Sequence, residues 1–392
     1  MKYKDILQFL FNVVIPSLEQ EAYELNDYLA DHPELSGEEY ESSKIIVELL
    51  RKHGLEVEYP FAGLDTAFRA QINPEKKHRV ALLTEYDALP EIGHACGHCA
   101  SGSASVLAGL SLYKIASELD FGIDIIGTPD EEVHGGKCMM CESGAFDGYD
   151  FAAMAHMAGE NASLINFIAL DGMIIKFRGV GAHAAQAPHE GRNALNAARL
   201  FFDAIDMMRQ HIIPEARIHG YIRNGGTASN VVPGYAEIEF LTRAPKREQL
   251  NDITQWVHDC AKAAALATRT ECEIEAYGKP FNEVYISPAG LDLMDECFTE
   301  LGMSNSKYHV GMIGSSDIGN VDDICPAFHP LVSIGPPFNV HTKEFSAAIK
   351  DELAHQAINN AAKLLLSITL KLYGESGRLD ELKKQHKEYY GK

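Results

Sequence analysis

The sequence predicts an α/β protein carrying an inserted α+β unit, on three observations. Strand-like apolar runs alternate with helical stretches up to about Leu170, the rhythm changes from Asp171 to about Tyr277, and 392 residues exceed the usual size of one core. The elements follow in order. An N-terminal helical region contains Glu38 to Leu50 and ends at Gly54. Val80 to Leu83 reads as a buried strand running into Glu85-Tyr86-Asp87-Ala88-Leu89-Pro90, where the proline marks a loop. Asp124-Ile125-Ile126-Gly127 is a second strand, leading into Thr128-Pro129-Asp130-Glu131-Glu132 and the Gly135-Gly136 turn. Cys138 to Cys141 lie in a short helix closed by Gly144, and Phe151 to Ala155 is a third apolar run. In the insert, Met173–Phe177, Arg217–Ile222, Ala236–Thr242 and Glu271–Ala276 read as strands, and Asn193–His211 and Arg247–Thr268 as helices. The first domain resumes with a long helix around Phe345 to Leu372, so the domains are 1–170 with 280–392, and 171–279. The charged stretch from Glu375 to Lys392 is expected as a solvated helix or a frayed end.

Composition narrows the class. A formal charge of -22, from 34 Lys and Arg against 56 Asp and Glu, argues against nucleic-acid binding, since no basic patch is present to neutralise phosphates. No apolar run approaches the roughly 20 residues of a membrane-spanning helix. Eight cysteines in a long chain whose first residues are not a secretory leader favour reduced thiols and a cytoplasmic location.

Four potential transition-metal ligands crowd into Gly93-His94-Ala95-Cys96-Gly97-His98-Cys99, just beyond a strand. Open α/β sheets bind ligands at the carboxyl ends of their strands. Glu131-Glu132 occupies the same kind of position. Adjacent side chains point in different directions, so one glutamate can ligate a cation while the other serves as general base on a water that the cation acidifies. A Glu-Glu pair is also common on solvated surfaces. His156, after Phe151–Ala155, and His341, after Gly335-Pro336-Pro337-Phe338-Asn339-Val340, again stand where a strand meets a loop. Either alone among 17 histidines reads more simply as a hydrogen-bonded structural residue. The same placement four times points to a metal centre.

These residues resemble the aminoacylase/carboxypeptidase family of metallo-amidohydrolases, from about Ala30 to the C-terminal helix. The resemblance rests on Glu85 to Pro90, Gly93 to His98, Glu131-Glu132 with Gly135-Gly136-Lys137, and His156. It continues in Gly181-Ala182-His183-Ala184-Ala185, in Gly191-Arg192-Asn193-Ala194-Leu195, and in Gly225 to Pro233. The stretches Gly314 to Val321 and His341-Thr342-Lys343-Glu344-Phe345 complete it. The wording is nearest the cysteine-ligand branch, with hippurate and auxin-conjugate hydrolases, and within it the β-alanyl-lysine dipeptidase and aminobenzoyl-glutamate hydrolase group. The resemblance implies a three-layer, zinc-exopeptidase-like catalytic domain with a mixed sheet, and a lid of four strands and two helices that often forms a homodimer surface.

Carried over residue by residue, it makes Cys96, His98, Glu132, His156 and His341 the ligands of two divalent metal ions, Glu131 the general base and Asp87 a supporting acid. Thiolate and imidazoles favour zinc, with manganese or cobalt as alternatives, since ligand identity does not fix the metal. His183 resembles the histidine that polarises the scissile carbonyl, commonly from the partner's lid, and Asn230 and Arg243 resemble groups that hold the substrate carboxylate. A turn asparagine and a strand-end arginine in a surface ion pair are the plainer readings of the last two.

The chain departs from the family pattern at Cys99, where relatives usually carry Asp or Asn. Cys96-Gly97-His98-Cys99 and Cys138-Met139-Met140-Cys141 therefore raise a structural zinc ribbon or a redox pair as alternatives. The expected activity is metal-dependent hydrolysis of an N-acyl amino acid or dipeptide, with an aminoacylase for longer acyl groups as the variant. The contrasting expectation is an inactive metal-binding regulatory or partner-binding protein of the same fold, which would need the ligands but have no use for Glu131.

Overall fold

The computed structural model describes residues 3–306, 313–336 and 338–391. They form two compact units, Met1–Asn166 with Val284–Lys392, and Phe167–Glu283.

The chain opens with α1 (Tyr3–Phe9), a π-helical turn, and α2 (Ile15–Asp31), whose Leu18, Ala22, Leu25 and Leu29 recur at helical spacing and are buried. α3 (Tyr40–Lys52) buries Ile46, Val47 and Leu50, and the chain leaves it through Gly54 at φ +94. It starts two residues later than the sequence suggests, because the Glu39 carboxylate is taken up by backbone amides outside the helix.

Next come β1 (Val57–Glu58), β2 (Phe68–Ile72), β3 (Arg79–Thr84), α4 (His98–Tyr113) and β4 (Gly122–Gly127). After them follow α5 (Gly136–Glu142), β5 (Phe151–Ala153), β6 (His156–Ala158) and the short β7 (Asn166–Phe167). The inserted unit holds β8 (Ala169–Arg178), α6 (Ala194–Met208), β9 (Arg217–Asn224), β10 (Tyr235–Ala244), α7 (Arg247–Thr268) and β11 (Glu271–Ala276). The first unit resumes with α8 (Pro288–Glu300), β12 (Ile313–Gly314), α9 (Ile318–Ile324), β13 (Ala327–Phe328) and β14 (Leu331–Ser333). It ends with α10 (Lys343–Ala348), α11 (Glu352–Gly374) and α12 (Arg378–Tyr390).

The main sheet of the first unit runs β1-β2-β4-β3-β5-β13, and it is mixed: β4, β3, β5 and β13 are parallel, while β2 is antiparallel to β4. Every residue of β4, and all of β3 beyond Arg79, is buried whichever way it points. Both faces are therefore covered, as in a three-layer α/β domain. Thr84 pairs with Gly127, so Glu85 and Thr128 leave the sheet side by side, tied by Thr128 N donating to Thr84 O at 2.8 Å.

The inserted unit is a single antiparallel sheet, β11-β8-β10-β9. Strand β10 alternates strictly, with Ala236, Ile238, Phe240, Thr242 and Ala244 buried, the pattern of a sheet with one packed face. Phe177, Phe201 and Phe240 centre its core. The helix at 247–268 and the strand at 271–276 match their sequence-predicted spans, and the other three strands run a few residues longer than predicted.

The single helix expected over Phe345 to Leu372 is two. Asp351 is extended at the head of α11, a residue type favoured there, and the buried Asn26 Nδ2 donates to Ile349 O at 3.0 Å at the break. The charged C-terminal stretch is a docked helix: Leu382 and His386 are buried, and Lys383 Nζ pairs with Asp150 at 2.7 Å.

Candidate metal centre

Parallel strands deliver the site. Glu85 and Asp87 follow β3, Glu131 and Glu132 follow β4, and His156 opens β6 just beyond β5. Gly97, at φ +87, turns the chain so that His98 becomes the first residue of α4. A Cβ on Gly97 would stand 2.9 Å from Met157 Cβ, so the close approach of this loop to β6 requires glycine. His341 also adopts a left-handed conformation, at φ +62, and its amide donates to Ala95 O at 2.8 Å, which brings it beside Cys96.

Cys96 Sγ lies 3.5 Å from His156 Nε2 and 3.3 Å from His341 Nε2. His341 Nε2 is in turn 3.5 Å from Glu132 Oε1. Three overlapping groups have ligand atoms within 4.8 Å of one another: Cys96, His98 and His156; Cys96, Glu132 and His341; and His98, Glu131 and Glu132. All six residues thus converge, with Cys96, His98 and Glu132 each shared between groups, as suits two neighbouring cations.

The donor set fits a metal. His98 Nδ1 is 2.7 Å from Asp87 Oδ1, and His156 Nδ1–H donates to Met157 O at 2.8 Å; both rings leave Nε2 for the cluster. His98 Nε2 is buried and makes no hydrogen bond, a state that a cation resolves. Burial, with Glu132 alongside, pushes the Cys96 thiol well above its ordinary pKa, and a bound cation would act in the opposite direction. Burial and the adjacent Glu132 likewise hold Glu131 well above the usual carboxylate range. Burial works in the same direction on Glu132 but is outweighed, chiefly by His341, so its carboxyl sits below the ordinary value.

Asp87 braces two parts of the cluster. One oxygen meets His98, and the other accepts from Glu132 N at 3.0 Å and Ser36 Oγ at 2.8 Å. A further polar group, which sequence reasoning left without a role, lies beside it. Lys137 Nζ, fully buried, pairs with Glu85 and with Asp317 Oδ1 at 2.7 Å, while Asp317 Oδ2 accepts from Lys137 N at 2.9 Å. The other Glu85 oxygen is buried 3.5 Å from His98 Nε2. Glu85, Lys137 and Asp317 all fall inside recognisable motifs, but nothing in their spacing announces that they meet.

The remaining candidates lie in the inserted unit. His183 is exposed, and its Nδ1 accepts from Ala185 N at 3.3 Å and Gln186 N at 3.1 Å, so in the neutral ring the proton sits on Nε2. Asn230 is exposed, with its carbonyl bonded to Ala184 N at 2.9 Å, and Arg243 is half-buried near the end of β10. Cys99 packs among the apolar residues of the main core, where burial pushes its thiol up to about 12. Among the described residues, the potential metal-holding groups contain neither Cys99 nor the Cys138 and Cys141 of α5. All eight cysteines are free thiols.

A peptidase dimerisation domain matches residues 169–269. A mouse Xaa-Arg dipeptidase is 36% identical over 341 residues, covering 84% of this chain and 79% of the relative. The chain belongs to the M20 peptidase family. As a family member it is a metal-dependent hydrolase of peptide or amide bonds. A p-aminobenzoyl-glutamate hydrolase chain from Escherichia coli is 28% identical over 93% of this chain and 92% of its own length. A dinuclear metal-binding peptidase of the M20 family from Bacillus subtilis shares the fold, with a TM-score of 0.70 at 19% identity over 91% of this chain and 99% of that one. Among the described residues no helix is long and apolar enough to cross a membrane.

Proposed function

We propose that this M20 enzyme cleaves the amide bond of a dipeptide or N-acyl amino acid, and that dipeptides ending in arginine are the first substrates to try. The observation that carries the reading is the convergence of Cys96, His98, Glu131, Glu132, His156 and His341 in one cluster at the strand ends. The choice of substrate rests on the relative named Xaa-Arg dipeptidase.

In this reading Cys96, His98, Glu132, His156 and His341 hold two divalent ions, zinc first and manganese or cobalt as alternatives. When bound, the ions supply the Lewis acidity that polarises the amide carbonyl and makes a water acidic near neutral pH. Glu131 takes the proton from the attacking water and hands it to the leaving amine. Asp87 keeps the His98 ring oriented and anchors the backbone at Glu132. His183 donates through Nε2–H to the oxygen that gains charge, and its two amide contacts at Nδ1 favour that tautomer. Arg243 and Asn230 hold the substrate carboxylate, to which a guanidinium can donate in bidentate fashion.

We also infer a homodimer built through the inserted unit, since a dimerisation domain matches that stretch, and a cytoplasmic enzyme, which the eight free thiols fit. The test is a hydrolysis screen of metal-loaded protein against Xaa-Arg, Xaa-Lys and Xaa-ornithine dipeptides, acyl-amino acids and aminobenzoyl-glutamate. Chelation should abolish turnover, and zinc, manganese or cobalt should restore it. Full turnover in protein shown to be metal-free by elemental analysis would refute the reading.

A further inference from the structure

Glu131 sits in a short loop whose backbone is held from outside at the residue before it and the residue after it. On the far side, Glu132 N donates to Asp87 Oδ2 at 3.0 Å. On the near side, Asp130 N donates to Glu39 Oε1 at 2.8 Å. Glu39 comes from the head of α3, 91 residues earlier in the chain, and is completely buried. The same oxygen accepts from Gly37 N at 2.8 Å, and Oε2 accepts from Thr66 Oγ1 at 3.2 Å. Both carboxylate oxygens are therefore committed to the protein frame and to the loop.

Asp130 is where such an anchor matters. Its backbone is left-handed, at φ +63, a region that favours glycine and that a residue with a side chain adopts with local hydrogen-bonding support. The rest of the loop closes on that residue. Asp130 O accepts from Gly135 N at 3.0 Å and Gly136 N at 2.9 Å, and Asp130 Oδ1 accepts from His134 N at 3.1 Å. Fixing the Asp130 amide thus fixes the base of the loop from which Glu131 projects.

We propose that Glu39 is a positioning residue for the hydrolysis: with Asp87 it clamps the backbone amides of the two residues on either side of Glu131, Asp130 and Glu132, and sets where the base stands. The proposal rests on Glu131 being that base. Among the described residues Glu39 makes its hydrogen bonds to Gly37, Thr66 and Asp130 and to none of the clustered ligands; it bears on the site through the loop and through its like charge with Asp87.

Three variants test it: Glu39→Ala, Glu39→Gln and Glu39→Asp, with Glu131→Gln in parallel. Glutamine keeps a carbonyl oxygen for Asp130 N and Gly37 N and can donate to Thr66, whereas aspartate keeps the charge but draws it back by one methylene. The expected result is a kcat for Glu39→Ala lower by about 10- to 100-fold, the scale of a misplacement near 1 Å, with KM within about threefold and metal content unchanged. Glu39→Gln should recover most of the turnover and exceed Glu39→Asp. Deuterium uptake at 128–136 should rise in Glu39→Ala while that of β3 stays as in the parent.

A folded, metal-loaded Glu39→Ala with the parent kcat overturns the proposal. Should that variant fail to fold, Glu39→Asp matching or exceeding Glu39→Gln overturns it, because charge rather than reach would then decide. If Glu131→Gln itself keeps its turnover, the base assignment has failed and this proposal falls with it. If Glu131→Gln is inactive while Glu39→Ala is not, the positioning claim alone has failed.

Discussion

The two units place their candidate residues in opposite surroundings. In the catalytic unit, Glu85, Asp87, His98 and Lys137 are almost completely buried, and each is bound or opposed by another member of the same network. In the inserted unit, His183 and Asn230 are exposed, the first held by backbone amides of its own loop and the second by the Ala184 amide beside His183, and Arg243 is half-buried on a strand. Buried polar groups are tolerated only when partnered, so a cluster of them with a spare imidazole nitrogen carries its own chemical argument. An exposed histidine carries none until something is bound. The catalytic unit can thus be read from its geometry, while the inserted unit's roles must be measured.

The largest expected effect lies within the catalytic unit. Glu131→Gln should keep its metal and lose about 100- to 10,000-fold in turnover, whereas Glu132→Gln should lose metal, as read by elemental analysis beside initial rates. Near-parent turnover in Glu131→Gln would erase the distinction between base and ligand.

His183→Ala carries the comparison into the other unit. It should cost about 100- to 1,000-fold in kcat with metal content intact. If the histidine acts from a partner subunit, mixing His183→Ala with Glu131→Gln under demonstrated subunit exchange should regain activity, since a mixed dimer holds one complete site. Unchanged kcat in His183→Ala would leave the inserted unit without a catalytic residue.

Asp87→Asn should weaken metal binding by about 10- to 100-fold, since a residue that orients a ligand commonly contributes that much. Competition with a chromogenic chelator measures it, and parent affinity would mean His98 needs no brace. Lys137→Met should cost about 3–5 kcal/mol in denaturant unfolding, because it strands the buried carboxylates of Glu85 and Asp317. The smallest effect is Cys99→Ala, with metal content and turnover as in the parent and about 1 kcal/mol lost from the core. Loss of metal there would revive the zinc ribbon.

Much of this was legible in the chain. Hydrophobic periodicity reports locally on burial, so the elements of the inserted unit, Arg247–Thr268 and Glu271–Ala276 above all, could be read directly. The break at Ile349–Asp351 could not, because it involves the carbonyl of Ile349 and an asparagine on α2, 323 residues away. The ligand types were visible because His, Cys and Glu after strands are chemically conspicuous. What tertiary structure alone decided was which of them meet and what holds them: that His341 turns back to Cys96, that Lys137 joins Glu85 to Asp317, and that Glu39 reaches the amide of Asp130. Such contacts join residues distant in sequence through single hydrogen bonds or ion pairs, and no local pattern encodes the partner. The sequence by itself determined the chemistry on offer, because that resides in residue types; the fold determined its geometry, because distance and orientation exist only once the chain has closed on itself.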